Sequence, residues 1–573
     1  MAHRPTRRLA CLVPLALPFA GSMAQDTARM NQVVQTYVAQ DHFMGTALVA
    51  RSARVIFSKG YGSADLEWNV PNAPDTKFRL GSVTKQFTAA SILLLEERGK
   101  LSVQDPVKKY VPNAPAAWDK ITIFHLLTHT SGIPSFTDFP DYRRLEPFAT
   151  TAEELVARFR DKPLDFQPGE RWSYSNSGFV LLTYIIEKVT GQPYATFVHD
   201  NIFAPLGMKE SGYDSNSEII PHRASGYVFE NNHYANAGYI NMTVPQGAGA
   251  LYSTTEDLLK WEQGLFGGKV LTPASLKKMT TPFKNNYAFG LEVDSSGGHR
   301  VIQHGGGIEG FNTVVSYYPD DHVAVIVLAN VNGAAPGQIA PKLAALARGE
   351  QVTLASERKA IALDAKTLAS YVGAYRMTPG AVMLITLDGD QLMSKLGNQQ
   401  AIPTFPESRT TFFPKGVDAE LEFSDFDAQG RPTVLTLRQN GRSARATRLA
   451  DAEAKPLIDA AEQFAKRFKA QTPAPGGEAA LRRLLGELRE GTPNYSLMSA
   501  GLANSIRQQL PTMQPALANL GAVQSVTFKG VGPGGADIYE VKFANGAQEW
   551  RIWLAPEGGG KIESANFRAP PPG

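Results

Sequence analysis

The sequence predicts three folded units in one chain: a mixed α/β (α+β) unit, a small all-β unit and a closing α+β unit. Three observations carry this. At 573 residues the chain exceeds the usual span of a single domain. Its hydrophobic pattern changes near residues 360 and 455, from mixed to strand alternation and then to helices followed by strands. Within the first unit, strand-like runs stand at both ends with helical patterns between them. That arrangement predicts one sheet built from both termini.

In order along the chain, "GTALVARSARVIFSKGYG" from Gly45 alternates like a hairpin. An apolar helix opens at Ser82, runs through "AASILLLEERG" and stops near Gly99. "ITIFHLLTH", "TTAEELVARF", "GFVLLTYIIEKVTG" and "TTEDLLKWEQGLFGG" are helical by period, several opened by Thr and closed by Gly. "RVIQH", "FNTVVSYYP" and "HVAVIVLANV" read as strands, and "IAPKLAALARG" as a last helix. These elements define a unit over 25–352, and "EQVTLASERKAIALD" after it reads as a linker. The span 360–451 is nearly all strand, with an Asp388-Gly389 hairpin turn, which predicts a small barrel or sandwich. From 455 to 573, three helical segments, the last "GLANSIRQQL", precede the strands "GAVQSVTFKGV", "DIYEVKFANG" and "QEWRIWLAP"; the final "APPPG" is a loose tail.

The first 24 residues read as an export signal. "MAHRPTRR" is a basic start, "LACLVPLALPFAG" an apolar core, and "SMA" before Gln25 a small-residue cleavage site after Ala24. The apolar core is too short, and too broken by Pro14 and Pro18, for a stable membrane span. A periplasmic or secreted protein is the expectation. Cleavage removes Cys11, the single cysteine, and with it disulfide and thiol chemistry. A net charge of +3 without any basic tract excludes nucleic acid as a natural partner. Nothing in the pattern bears on oligomeric state.

Chemistry concentrates in three places. Ser82 and Lys85 in "FRLGSVTKQFTAA" are three apart, so a helix puts both on one face. A lysine withdrawn from water loses basicity and becomes a usable base for a serine nucleophile. The bland alternative makes Ser82 a helix cap and Lys85 a solvated charge. The spelling recurs at Ser275–Lys278 and Ser356–Lys359, but only Ser82 follows a glycine and opens a long apolar helix. Tyr174 and Asn176 in "RWSYSNSGFVLL" precede another apolar helix; a neighbouring ammonium would lower the tyrosine's pKa. In "VIQHGGGIEGF" a strand ends at His304, and three glycines allow close backbone approach, as an oxyanion hole requires.

Ser82-x-x-Lys85, Tyr174-x-Asn176 and His304-x-Gly306, with the flanks "LLTHTSGIP", "YSNSGF" and "GAGALYST", resemble the penicillin-recognising serine hydrolases of the class C β-lactamase type. That group includes D-aminopeptidases, D,D-carboxypeptidases and esterases. The resemblance covers roughly 30–350. It implies a β-lactamase/transpeptidase-like fold, an acyl-enzyme on Ser82 and no cofactor. It further implies that Lys85 and Tyr174 form the general base, that Asn176 binds the substrate amide, and that the N–H groups of Ser82 and Gly307 form the oxyanion hole. His304 and Gly306 would line the substrate site. His304 stands where β-lactamases carry a lysine, so a fixed cation for a substrate carboxylate is missing. D-amino acid peptide, amide or ester substrates are therefore expected ahead of β-lactams or D,D-peptides. The all-β segment is similar to the lipocalin-like barrels of some members, which in certain relatives limit access to the cleft.

Competing readings are weaker. His125 and His129 in "HLLTH" have zinc-ligand spacing, but Leu126 stands where a zinc protease needs Glu and no third ligand offers itself. No Gly-x-Ser-x-Gly elbow occurs. An inactive binding or regulatory protein on this scaffold would be expected to have lost Ser82, Lys85 or Tyr174, and all three remain. Arg143 and Arg144 in "SGIPSFTDFPDYRRLEPF" are candidates for an anionic group, or simply wet surface arginines.

Overall fold

The computed structural model describes residues 19–568 apart from 231, 378–379, 398, 416, 440–441, 533 and 556–559. Residues 1–18 of the expected signal and the tail 569–573 lie outside the described residues. Two compact units divide the chain: the first runs through Leu354 and also takes in Asn440–Arg442, and the second comprises Ala355–Gln439 and Ser443–Gly573.

In the first unit, helix α1 (Phe19–Val38) leads into a hairpin of β1 (Gly45–Arg51) and β2 (Arg54–Tyr61). Helices α2 (Thr84–Glu97), α3 (Ile123–Leu127), α4 (Ala152–Arg160), α5 (Asn176–Thr190) and α6 (Thr255–Phe266) follow. The chain then returns through strands β3 (Glu292–Ser296), β4 (His299–Ile308), β5 (Phe311–Tyr318) and β6 (Val323–Ala329) to helix α7 (Ala335–Arg348). The sheet runs β3-β4-β5-β6-β1-β2 and is antiparallel throughout, so its two halves do come from opposite ends of the unit. Gly45 pairs with Ala329 and Arg51 with Val323.

Every residue of β6 is buried because both faces of the sheet are covered. Alternation sorts the side chains: Leu48, Ile326 and Leu328 join α2 and α6 in one core, while Val49, Val325 and Val327 join α1 and α7 in the other. Helix α2 is buried without a break from Thr84 to Leu95, which is why its sequence shows little polar face.

Two local expectations change. The "ITIFHLLTH" helix is only five residues long, ending at Leu127 before His129, which takes a left-handed φ of +55°. The three glycines after His304 do not form a turn; β4 continues through them to Ile308, paired to β5 with Gly307 opposite Asn312.

In the second unit, eight strands between Gly373 and Arg448 close into a barrel filled by the rings of Tyr371, Phe412 and Phe423. Beyond it, helices Gly477–Glu490 and Ala500–Leu520 pack on a four-stranded antiparallel sheet around Leu484, Tyr539 and Trp550. The second helix runs well past the predicted "GLANSIRQQL", through Pro511 and Pro515. The strand Ile562–Arg568 also exceeds the expectation, because its alternating pattern is weak: only Ile562 is buried.

Candidate active site

Ser82 sits in a single 3-10 turn, Gly81–Val83, that feeds α2. Gly81 has φ of +53°, and a Cβ there would lie 2.9 Å from the backbone nitrogen of Gly307. The turn therefore rests directly against β4. Gly306 is needed for the same reason: a Cβ on it would come within 1.9 Å of the Leu80 carbonyl oxygen. Thr313 Oγ1 donates to that oxygen at 2.7 Å and fixes the approach.

The hydroxyl of Ser82 is not a cap, since neither this turn nor α2 has a side-chain cap bond. Instead Tyr174 Oη donates to Ser82 Oγ at 2.7 Å, and Lys85 Nζ lies 3.1 Å from the same oxygen. Lys85 is fully buried, and its partners are all uncharged: Ser82 Oγ, Asn176 Oδ1 at 2.8 Å and the Ala248 carbonyl at 2.8 Å. Burial alone pushes its pKa well below the usual lysine value. The proton inventory then closes. A neutral amine has two N–H groups, which Asn176 Oδ1 and the Ala248 carbonyl accept, leaving its lone pair for Ser82.

Burial also raises the pKa of Tyr174, with the Ser82 bond opposing. This reverses the expectation of a lowered phenol: burial outweighs the effect of the neighbouring amine, whose nitrogen stands 4.8 Å over the tyrosine ring. Tyr174 is a proton donor in this state.

Asn176 opens α5 and is committed to the protein on both sides, to Lys85 through Oδ1 and to Thr137 Oγ1 through Nδ2 at 3.2 Å. Ser135 Oγ takes its backbone N–H at 3.1 Å. The segment 131–148 thus reaches the site through two hydroxyls. Of its arginines, Arg143 pairs with Glu146 at 3.2 Å and Glu309 at 3.7 Å, and Arg144 is exposed.

His304, expected to face substrate, is 3% exposed, and both its ring nitrogens are used internally. Nδ1 pairs with the Gly305 carbonyl at 2.6 Å and Nε2 with Tyr287 Oη at 2.9 Å. The carbonyl can only accept, so Nδ1 carries the proton and the tyrosine donates to Nε2. Burial, with Lys85 nearby, pushes the imidazole down to about 3, so it stays neutral. His125 and His129 do not share a helical face, since α3 ends between them. His125 Nδ1 accepts the Thr122 N–H, and among the described residues no cluster could hold a metal ion.

Sequence reasoning missed the Ala248 carbonyl and Tyr287. The first lies in "GAGALYST", but a backbone oxygen leaves no residue-type signal. Tyr287 lies in an aromatic loop with no distinguishing spacing.

The beta-lactamase family model matches residues 30–349. The chain belongs to the beta-lactamase family. Its similarity to penicillin-binding protein 4* of Bacillus subtilis (strain 168) is 30% identity over 429 residues, 70% of this chain and 95% of that protein. The octameric penicillin-binding protein homologue from Pyrococcus abyssi superposes with a TM-score of 0.53 at 26% identity, covering 74% of this chain and all of that one. The D-amino acid amidase from Ochrobactrum anthropi SV3, at 23% identity and a TM-score of 0.50 over 56% of this chain and 99% of that one, shares the fold. A domain of unknown function (DUF3471) matches 357–454, across the barrel. The protein is a serine hydrolase of the β-lactamase type.

Proposed function

We propose that this enzyme is exported and hydrolyses amide or ester bonds, with D-amino acid amides, D-peptides or esters as substrates, through an acyl-enzyme on Ser82. The observation that carries the mechanism is Ser82 Oγ held between a fully buried amine at 3.1 Å and a phenol at 2.7 Å. As Oγ attacks the substrate carbonyl carbon, its proton passes to Lys85 Nζ and the carbonyl oxygen becomes an oxyanion. The N–H groups of Ser82 and Gly307, brought together by the Gly81–Gly307 contact, stabilise that oxygen. The tetrahedral intermediate collapses when the amine or alkoxide leaves with the proton of Tyr174, which Lys85 restores. Water then repeats the sequence on the acyl-serine and releases the acid.

The substrate class follows from His304. With both nitrogens engaged and no charge, the position offers no cation to a substrate carboxylate, which favours neutral amides and esters over β-lactams and D-Ala-D-Ala peptides. A panel of D-amino acid amides, short acyl esters, a D-Ala-D-Ala peptide and nitrocefin tests this; amide or ester turnover with slow nitrocefin hydrolysis is expected. Fast nitrocefin hydrolysis would sink the assignment. Export is tested by expression of the full chain: the mass of the released protein should begin at Gln25.

A further inference from the structure

His129 has no place in the chemistry above, yet it is 1% exposed and lies beneath the site. Its ring packs on Tyr174 at 4.4 Å, on Tyr287 at 4.6 Å and on Phe179 at 5.2 Å, centroid to centroid. Its polar atoms reach the same strand of chain. The His129 carbonyl accepts the N–H of Ser173 at 2.9 Å, and Nδ1 accepts the N–H of Ser175 at 3.2 Å. Tyr174 is thus bracketed on both sides in sequence, and its ring is packed at a tilt, by one residue. The left-handed backbone at 129 is what turns both the carbonyl and the ring toward this segment. Because Nδ1 accepts, the remaining proton sits on Nε2, which has no hydrogen-bond partner among the described residues.

We propose that His129 is a positioning residue: it holds the Tyr174 phenol at hydrogen-bonding distance from Ser82 by clamping the backbone before and after it and packing against its ring. Leaving Nε2–H unpaired in the interior is unfavourable, and a structural core would be better served by an apolar ring. The acceptor at Nδ1 is the feature that phenylalanine lacks. The inference rests on the serine-hydrolase reading, because the distance it guards matters only if Tyr174 handles the proton of Ser82.

The test uses two variants in the full chain. His129→Asn keeps an acceptor at the Nδ1 position and tolerates the left-handed backbone, while His129→Phe keeps the flat ring and leaves the Ser175 N–H without a partner. Both are assayed for labelling of Ser82 by a fluorophosphonate and for kcat and KM on a p-nitrophenyl ester. His129→Phe is expected to lose on the order of 10- to 100-fold in kcat with KM nearly unchanged, and His129→Asn to recover most of the loss. Combined with Tyr174→Phe, His129→Phe should add nothing, since it acts only through the phenol. Full kcat in His129→Phe, or additive losses in the double variant, would overturn the role of His129. Absent labelling of the wild-type protein would instead sink the serine-hydrolase reading itself. Should His129→Phe fail to fold, the comparison of His129→Asn with its Tyr174→Phe double variant decides alone.

Discussion

Ser82-x-x-Lys85 and Ser275-x-x-Lys278 have the same spelling and opposite fates. Ser275 is the third residue of a short helix, Pro273–Met279, where its N–H is taken by the capping Thr272. Lys278 is 49% exposed and bonds Glu96 at 2.8 Å. This lysine sits half in water with a carboxylate partner. Lys85 has no exposed atom and no carboxylate partner, only a hydroxyl, an amide oxygen and a carbonyl. The contrast teaches that the motif becomes chemistry through desolvation. A counter-ion would hold the amine charged; water would do the same.

The largest break in the comparison is expected from Ser82→Ala. It should abolish fluorophosphonate labelling by intact mass and lower turnover by roughly 10⁴- to 10⁶-fold. Lys85→Met should slow acylation about 10³-fold or more, while Lys278→Met leaves it unchanged. If both lysine variants were equally active, the environment would not be what distinguishes them.

The pH dependence sharpens the same point. Lys85 has a folded pKa below its unfolded value, so between the two the unfolded chain binds the extra proton and stability rises with pH. Thermal melts should show this slope, up to about 1.4 kcal/mol per pH unit, and Lys85→Met should remove it and be the more stable protein at pH 7. The acylation rate of the wild type should fall on the acid side as Lys85 gains its proton. Glu262 on α6 gives the opposite sign: it is buried with Oε2 unpartnered among the described residues, and burial pushes its pKa up to about 8. From the unfolded carboxyl range up to about pH 8, stability should fall as pH rises, and Glu262→Gln should abolish that loss. A melt indifferent to the substitution across this range would contradict the burial argument. The smallest effect belongs to Lys278→Met on stability, within about 0.5 kcal/mol at physiological salt, because its ion pair is half in water.

Much of the scaffold was legible. The runs "GTALVAR" and "HVAVIVLANV" carry β-branched and small apolar residues, and they pair across nearly the whole first unit. Helix α2 announced itself by an unbroken apolar face. The limits lie where spacing and composition are silent. "HLLTH" looks helical through His129, yet the helix ends at Leu127 and residue 129 takes a left-handed backbone, from which its ring packs against Tyr174. The strand was expected to end at His304, and instead the glycines after it extend β4, since β5 supplies a hydrogen-bonding edge that no local signal reveals. The expected lowering of the Tyr174 phenol left its burial out of account.

By itself the sequence determined which groups are available: one hydroxyl, one amine and one phenol at spacings that place each at the mouth of an apolar helix. Only the tertiary structure decided their protonation and their reach. The charge on Lys85 depends on excluded water and on which uncharged acceptors surround it, and those come from segments 163 and 91 residues away. The same holds for His304, whose side chain the sequence offers to a substrate and the fold turns inward to Tyr287. Burial is a property of the assembled core, summed over distant residues, and no local stretch of sequence carries it.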